Sequence, residues 1–187
     1  MSILRTKRTM TPVLDGLEIR NLMTGNISLS AGIVSVVGDA ASANTSLVVV
    51  YGDVAKSNIQ VDLRENGIET KMTFAATDVS KVAFSGNNKY NSFVNVTDVN
   101  DSASGGDGYN FFLDLGKGDN TFKGGDGTNV FLDYGDGKND FTGGNGANIF
   151  WVGNGASTLK GGTGVNYFFV GNNTVTTGSG TNYVWSH

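Results

Sequence analysis

The chain has 187 residues, with 13 Lys and Arg against 17 Asp and Glu, a net charge of −4 and a pI near 4.8, so it carries no basic footprint for nucleic acid. It has no cysteine and one histidine, His187, which excludes disulfides, thiolate nucleophiles, zinc-finger spacing and every histidine-dependent triad. Its 28 glycines are not spaced by three and are joined by a single proline, Pro12, which excludes collagen and describes a regular backbone full of tight turns.

The stretch 1–25 differs in kind from the rest. It carries Arg5, Lys7, Arg8 and Arg20 without a long apolar run, so it fails as an ordinary cleavable signal peptide, and no apolar run in the chain approaches the length of a membrane span. Leu14, Gly16, Leu17, Glu18, Arg20 and Leu22 fall in one pattern, with Ile19 and Met23 in place of a Pro and a Leu. On those residues the segment resembles the LEPR-type N-terminal sorting segment of planctomycete surface proteins. The resemblance implies export, to a secreted or cell-surface location. Read from its residues alone, the same stretch is a short amphipathic helix capping a first coil, with Leu14, Leu17, Ile19 and Leu22 turned inward.

From 26 to 100 the composition shifts to β-branched residues with fewer glycines. Alternation predicts strands at Ile27–Leu29, Ile33–Val37, Leu47–Tyr51, Ile59–Leu63, Lys71–Phe74, Val82–Phe84 and Phe93–Val96. Glu65-Asn66-Gly67 carries the Asn-Gly signal of a tight hairpin turn. Gly86 to Phe93 already has the form of a degenerate repeat unit, so this region is expected to hold earlier, less regular coils of the array that follows. Asp98–Ser104 reads as a polar loop between the two parts.

From 101 to 187 one pattern returns five times. Gly105-Gly106-Asp107-Gly108-Tyr109-Asn110-Phe111-Phe112-Leu113 is answered at Gly124, Gly143 and Gly161, and in a worn copy at Gly178. Shorter copies stand between, opening at Gly116, Gly135 and Gly153, so the unit is a glycine turn plus a short strand and two units make one coil. The glycines are expected to supply positive φ and close backbone approach at the corners. Alternation then points Phe112, Phe131, Phe150 and Phe168 into one inward column, facing Phe122, Phe141, Leu159 and Val175 from an opposite sheet. The expected architecture is all-β: a parallel β-solenoid, a right-handed β-roll or β-helix, with a less regular β-rich N-terminal part.

These units resemble the nonapeptide repeats of RTX β-roll proteins, Gly-Gly-x-Gly-x-Asp-x-large-x. The resemblance implies calcium bound by the sixth-position Asp of stacked turns. This chain places Asn110, Asn120, Asn129, Asn139, Asn148, Ser157, Asn166 and Asn182 there instead. An amide brings no charge to offset dehydration of a divalent cation, whereas amides in register can hydrogen-bond along the column. The expectation is therefore an asparagine ladder with no cofactor. If calcium binds, the acids left for it are Asp107 and Asp126 at one set of turns and Asp114 and Asp133 at strand ends. Their simpler reading is as solvated corner residues.

The outward residues separate the two sheets. One face is wet, with Thr121, Lys123, Asp140, Thr142, Thr158, Lys160, Thr174 and Thr176. The other carries Phe111, Leu113, Val130, Leu132, Ile149, Trp151, Tyr167, Phe169, Tyr183 and Trp185. Half exposed, those ten side chains make a patch of roughly 600–800 Å², more than a soluble monomer normally shows. Its cover is either the chain itself, through the arm 1–25 or the region 26–100, or another copy. With solenoid ends expected to be open, the sequence points to a non-enzymatic structural protein that self-assembles into a fibre or sheet. A carbohydrate-binding or adhesive module is the other reading, with Trp151, Phe169 and Trp185 stacking on a surface polysaccharide. An enzyme would need paired carboxylates or a calcium with a basic residue over a groove, and no Arg follows Arg64.

Overall fold

The computed structural model describes residues 26–153 and 155–186. The readings made for 1–25 lie outside the described residues. What is described is a parallel β-solenoid of about six turns without an α-helix.

Seventeen strands divide between two sheets. In chain order they are β1 (Asn26–Ser30), β2 (Ile33–Val37), β3 (Asn44–Tyr51), β4 (Asn58–Glu65), β5 (Ile68–Ala75), β6 (Lys81–Ser85), β7 (Tyr90–Asn95), β8 (Asn100–Ser104) and β9 (Tyr109–Asp114). There follow β10 (Thr121–Lys123), β11 (Asn129–Asp133), β12 (Asp140–Thr142), β13 (Asn148–Val152), β14 (Thr158–Lys160), β15 (Val165–Val170), β16 (Thr174–Thr176) and β17 (Thr181–Ser186). The chain alternates between an eight-stranded sheet, ordered β1-β2-β6-β8-β10-β12-β14-β16, and a nine-stranded one, ordered β17-β15-β13-β11-β9-β7-β3-β4-β5. From β2 and β3 onward all pairings along each sheet are parallel.

The core lies between the sheets, and two facing columns run through it. Leu47, Phe93, Phe112, Phe131, Phe150 and Phe168 align in the nine-stranded sheet, and all are fully buried. Phe84, Ala103, Phe122, Phe141, Leu159 and Val175 align opposite. The rings stack at the strand spacing, with Phe131 and Phe150 centroids 4.8 Å apart and 4° from parallel. Ala103 interrupts this order. Where it leaves a ring out, Phe93 meets Phe122 edge-on at 71°.

Four readings from the sequence need correction. Asp98–Ser104 is not a loop: Asn100–Ser104 is β8, paired in parallel with β6 and β10, with Asp101 and Ala103 turned inward. The region 26–100 is only partly coiled. β1 runs antiparallel to β2, and β4 and β5 form an antiparallel hairpin on β3, so three antiparallel strands continue the two sheets at the N-terminal end. The outermost strands there are β1 and β5, and since these strands extend the same two sheets, 26–100 does not fold across the apolar face. The glycines also act differently from the expectation. Among the described glycines only Gly32, Gly67 and Gly178 have positive φ; in the repeats the need is space, since a Cβ on Gly127 would stand 2.0 Å from the Gly108 carbonyl oxygen of the neighbouring coil. The Asn66-Gly67 turn is as expected, with φ of 49° and 83° joining β4 to β5.

Candidate functional site

An amide ladder fixes the spacing of the coils. Asn91, Asn110, Asn129, Asn148, Asn166 and Asn182 lie in register at the start of the strands of the nine-stranded sheet. Each Nδ2 donates to the Oδ1 of the next, at 2.7–2.8 Å throughout. The same amides tie down their own turns. The Asn129 Nδ2 also donates to the Gly125 carbonyl at 2.8 Å, and its Oδ1 accepts from the Gly125 N–H at 3.2 Å. Five of the seven asparagines expected in the ladder stand in it, and Asn91 adds one that the Gly86–Phe93 unit announces.

Asn120 and Asn139 do something else. They stand at the opposite corner, where Oδ1 accepts from a backbone N–H one coil away: Asp101 N–H to Asn120, and Asn120 N–H to Asn139, both at 2.7 Å. Their Nδ2 groups donate to Asp114 and Asp133, again at 2.7 Å. These two acids are not solvated corner residues. Both are buried, in the inward column that begins Val49, Asn95, Asp114, Asp133 and Val152. Burial pushes the Asp114 carboxyl up to about 6, against the pull of hydrogen bonds from Gly116, Asn95 and Asn120. Burial raises Asp133 too, opposed by Asn139 and Gly135. Asp107 and Asp126 lie at the other end of the strand, exposed, each accepting from the N–H of the next coil. The four acids therefore form two separate pairs and do not converge on one site.

The apolar wall is the outer face of the nine-stranded sheet. Phe111, Val130, Ile149, Tyr167 and Tyr183 make one column in register, and Leu113, Leu132, Trp151, Phe169 and Trp185 the next. Trp151, Tyr183 and Trp185 are 44–46% exposed and the others partly buried. The wall is larger than the sequence suggested. Val48 and Val94 continue the second column through β3 and β7, and Tyr90 stacks on Tyr109 at 5.3 Å beside the first. Spacing carried that signal, since Val94 precedes Leu113 by the same step as Asn91 precedes Asn110. From β3 to β17 neither column holds a charged residue. The wall stops at the hairpin, where Asp62 faces Val48 and Arg64 faces Ser46, and Arg64–Glu69 and Lys71–Asp62 pair outside.

Ring orientation decides what such a wall can meet. Trp151 stacks on Phe169 at 5.2 Å, Phe169 on Trp185 at 4.7 Å and Tyr167 on Tyr183 at 5.1 Å, within 25° of parallel. The ring faces are thus spent on one another along the solenoid axis, and edges line the surface. No helix among the described residues is long and apolar enough to cross a membrane. In comparison with known proteins, no family model fits the chain and no curated protein or solved structure matches it.

Proposed function

We propose that the protein is a non-enzymatic structural component, secreted or held at the cell surface, whose copies associate side by side through the apolar wall. The observation that supports this is the contrast between the two outer faces of one solenoid. The eight-stranded sheet shows Lys123, Asp140 and Lys160 among threonines, while the nine-stranded sheet shows uncharged columns of Leu, Ile, Phe, Tyr and Trp. With Trp151, Tyr183 and Trp185 nearly half exposed and the other seven partly buried, the wall is a continuous apolar face of the kind that association removes from water. A second wall of the same shape suits the ridges of ring edges, which interdigitate as facing sheets do in dry zippers. A sugar ring instead needs a free aromatic face, and within the columns those faces are occupied, so a polysaccharide partner is the weaker reading. The antiparallel strands at the N-terminal end, with Glu69 and Lys71 on the edge strand β5, favour lateral contact over head-to-tail continuation of the coils. The secreted or surface location rests on the resemblance of the N-terminal segment to sorting segments.

Sedimentation velocity and negative-stain microscopy of the full chain test the proposal. The wild type is expected to associate as concentration rises, and Leu132→Lys, at the centre of the wall, to be monomeric with an unchanged far-ultraviolet circular dichroism spectrum. A wild type that stays monomeric at the highest attainable concentration sinks it.

A further inference from the structure

Three carboxyls lie inside the roll at the corner that joins β7 to β8, β9 to β10 and β11 to β12. They are Asp101, Asp114 and Asp133, each no more than 2% exposed. Asp114 and Asp133 are solvated by N–H groups of the turns and by the amides of Asn120 and Asn139. Asp101 is not. In its coil the two residue types are exchanged: the amide, Asn95, stands at the strand end and the acid across the turn. Asn95 Nδ2 is committed to the Thr97 carbonyl at 3.0 Å and to Asp114 Oδ1 at 2.9 Å. Among the described residues no well-aligned hydrogen bond reaches either oxygen of Asp101, and the support of the Val82 backbone N–H on β6 is outweighed by burial and by the Asp114 charge.

An ionised carboxylate in that position is among the costliest groups a protein interior can hold, and such groups neutralise instead. A metal ion fits poorly as the neutralising partner. A hard cation asks for six or more oxygens, whereas the Asp114 oxygens already accept from Gly116, Asn95 and Asn120, and N–H groups repel a cation. No group of three or more metal-ligating side chains occurs among the described residues. The charged groups acting on Asp101 are Asp114, which opposes its ionisation, and Lys81 on the adjacent β6, which weakly favours it. Behind Asp114 stand Asp133 and, beyond it, Asp136, both of the same sign.

We propose that the folded roll holds a proton on Asp101, which is a neutral carboxylic acid at neutral pH, and that this corner is a pH-sensitive lock that loosens as the solution becomes alkaline. Burial first and the Asp114 charge second raise Asp101 well above its ordinary 3.8. The sign follows from linkage. A carboxyl whose folded value lies above its unfolded one takes up a proton on folding. Its stabilising effect is whole below the unfolded value and is lost as pH climbs through the folded one. Each such proton changes the folding constant about tenfold per pH unit across that window. Asp114, at about 6, has largely ionised by neutral pH, so loss of stability above that point is expected to come chiefly from Asp101.

The experiment is denaturant unfolding of the full chain from about pH 5 to about pH 8, for wild type and Asp101→Asn, whose amide is close to the protonated acid in shape and lacks its charge. The wild-type folding constant is expected to fall with pH, and Asp101→Asn to fall less steeply, by about one tenfold step per unit. Equal slopes, or a flat wild-type profile, overturn the proposal. So does stability at alkaline pH that calcium or sodium restores to the wild type and not to the variant, because the neutralising ion is then a metal. Should Asp101→Asn not fold, infrared spectra of the native wild type at neutral pH decide: a protonated-carboxyl stretch that vanishes on unfolding supports the proposal, and its absence overturns it.

Discussion

At the scale of single residues, the exchange of acid for amide at the turns decides what holds the coils together. Asn129 shows how much one amide does. It donates to Gly125 O, Gly127 O and Asn148 Oδ1 and accepts from Gly125 N–H and Asn110 Nδ2. Its side chain is fully buried, so no water replaces these partners in the folded state. Each buried group left unsatisfied costs about 1–3 kcal/mol, and Asn129→Ala orphans several, so the variant is expected to lose about 3–5 kcal/mol in denaturant unfolding. Asn129→Asp keeps the size and loses the donors, and adds a charge beneath the Asn148 oxygen. It is expected to be less stable than Asn129→Ala at neutral pH and to recover on acidification, when the protonated acid donates again. Calcium restoring Asn129→Asp at neutral pH would show that the column tolerates the ion implied by the resemblance of the repeats to RTX units. A ladder of amides needs no ion, and the wild type is expected to keep its melting temperature in a chelator.

At the scale of the elements, backbone contact between turns limits the sequence as strongly as the ladder does. A Cβ on Gly127 would stand 2.0 Å from Gly108 O and 2.3 Å from Asp107 O, both backbone atoms that move only if two coils part. Gly67 is the contrast, with nothing within 4 Å but a φ of +83°. Gly127→Ala is therefore expected to cost about 3 kcal/mol, as overpacking does, and Gly67→Ala about 1 kcal/mol, the strain of a left-handed residue. Thermal unfolding of the two variants checks the order; a larger loss at Gly67 would make dihedral freedom the governing need. The same elements show what was legible in the sequence and what was not. Periodicity carried the strands, the aromatic columns and the wall, because each is a local pattern repeated at a fixed step. β8 was not legible. Asn100-Asp101-Ser102-Ala103-Ser104 has no apolar alternation, and its pairing comes from β6 and β10 on either side. Burial of Asp114 and Asp133 was missed for a related reason: acids at strand ends read as corners, although they share the inward parity of Phe112 and Phe131. The exchange of roles between Asn120 and Asn110 was equally hidden, since both follow a glycine turn and only the facing sheet tells them apart.

At the scale of the whole molecule, each coil touches only its neighbours, so stability is a sum of coils and interfaces and need not be uniform along the axis. The two ends differ. Toward the N-terminus, β1 and the β4–β5 hairpin flank the first coil, and Leu47, Ile59, Val61 and Val34 are fully buried there. Toward the other end, where β16 and β17 are outermost as β1 and β5 are at the first, Val184, in register with the fully buried Phe168, is 50% exposed. Charges on the hairpin, Glu69 and Lys71 on β5 itself, also make that edge a poor template for a further strand, whereas β17 presents Tyr183 and Trp185. Amide hydrogen exchange of the full chain at low concentration is therefore expected to be slowest in β9, β11 and β13. It should quicken through β15 to β17, and β3 and β4 should be protected nearly as well as the centre. Uniform protection would mean that the coils open as one unit, and the nearest-neighbour picture would fail. Faster exchange at β3 than at β17 would show that the antiparallel strands do not protect the coil beside them. Repeating the measurement where Leu132→Lys and wild type differ in association separates the two levels. The wall exposes side chains and not strand edges, so docking through it is expected to protect the amides of β17 little, while strand addition at that edge would protect them strongly.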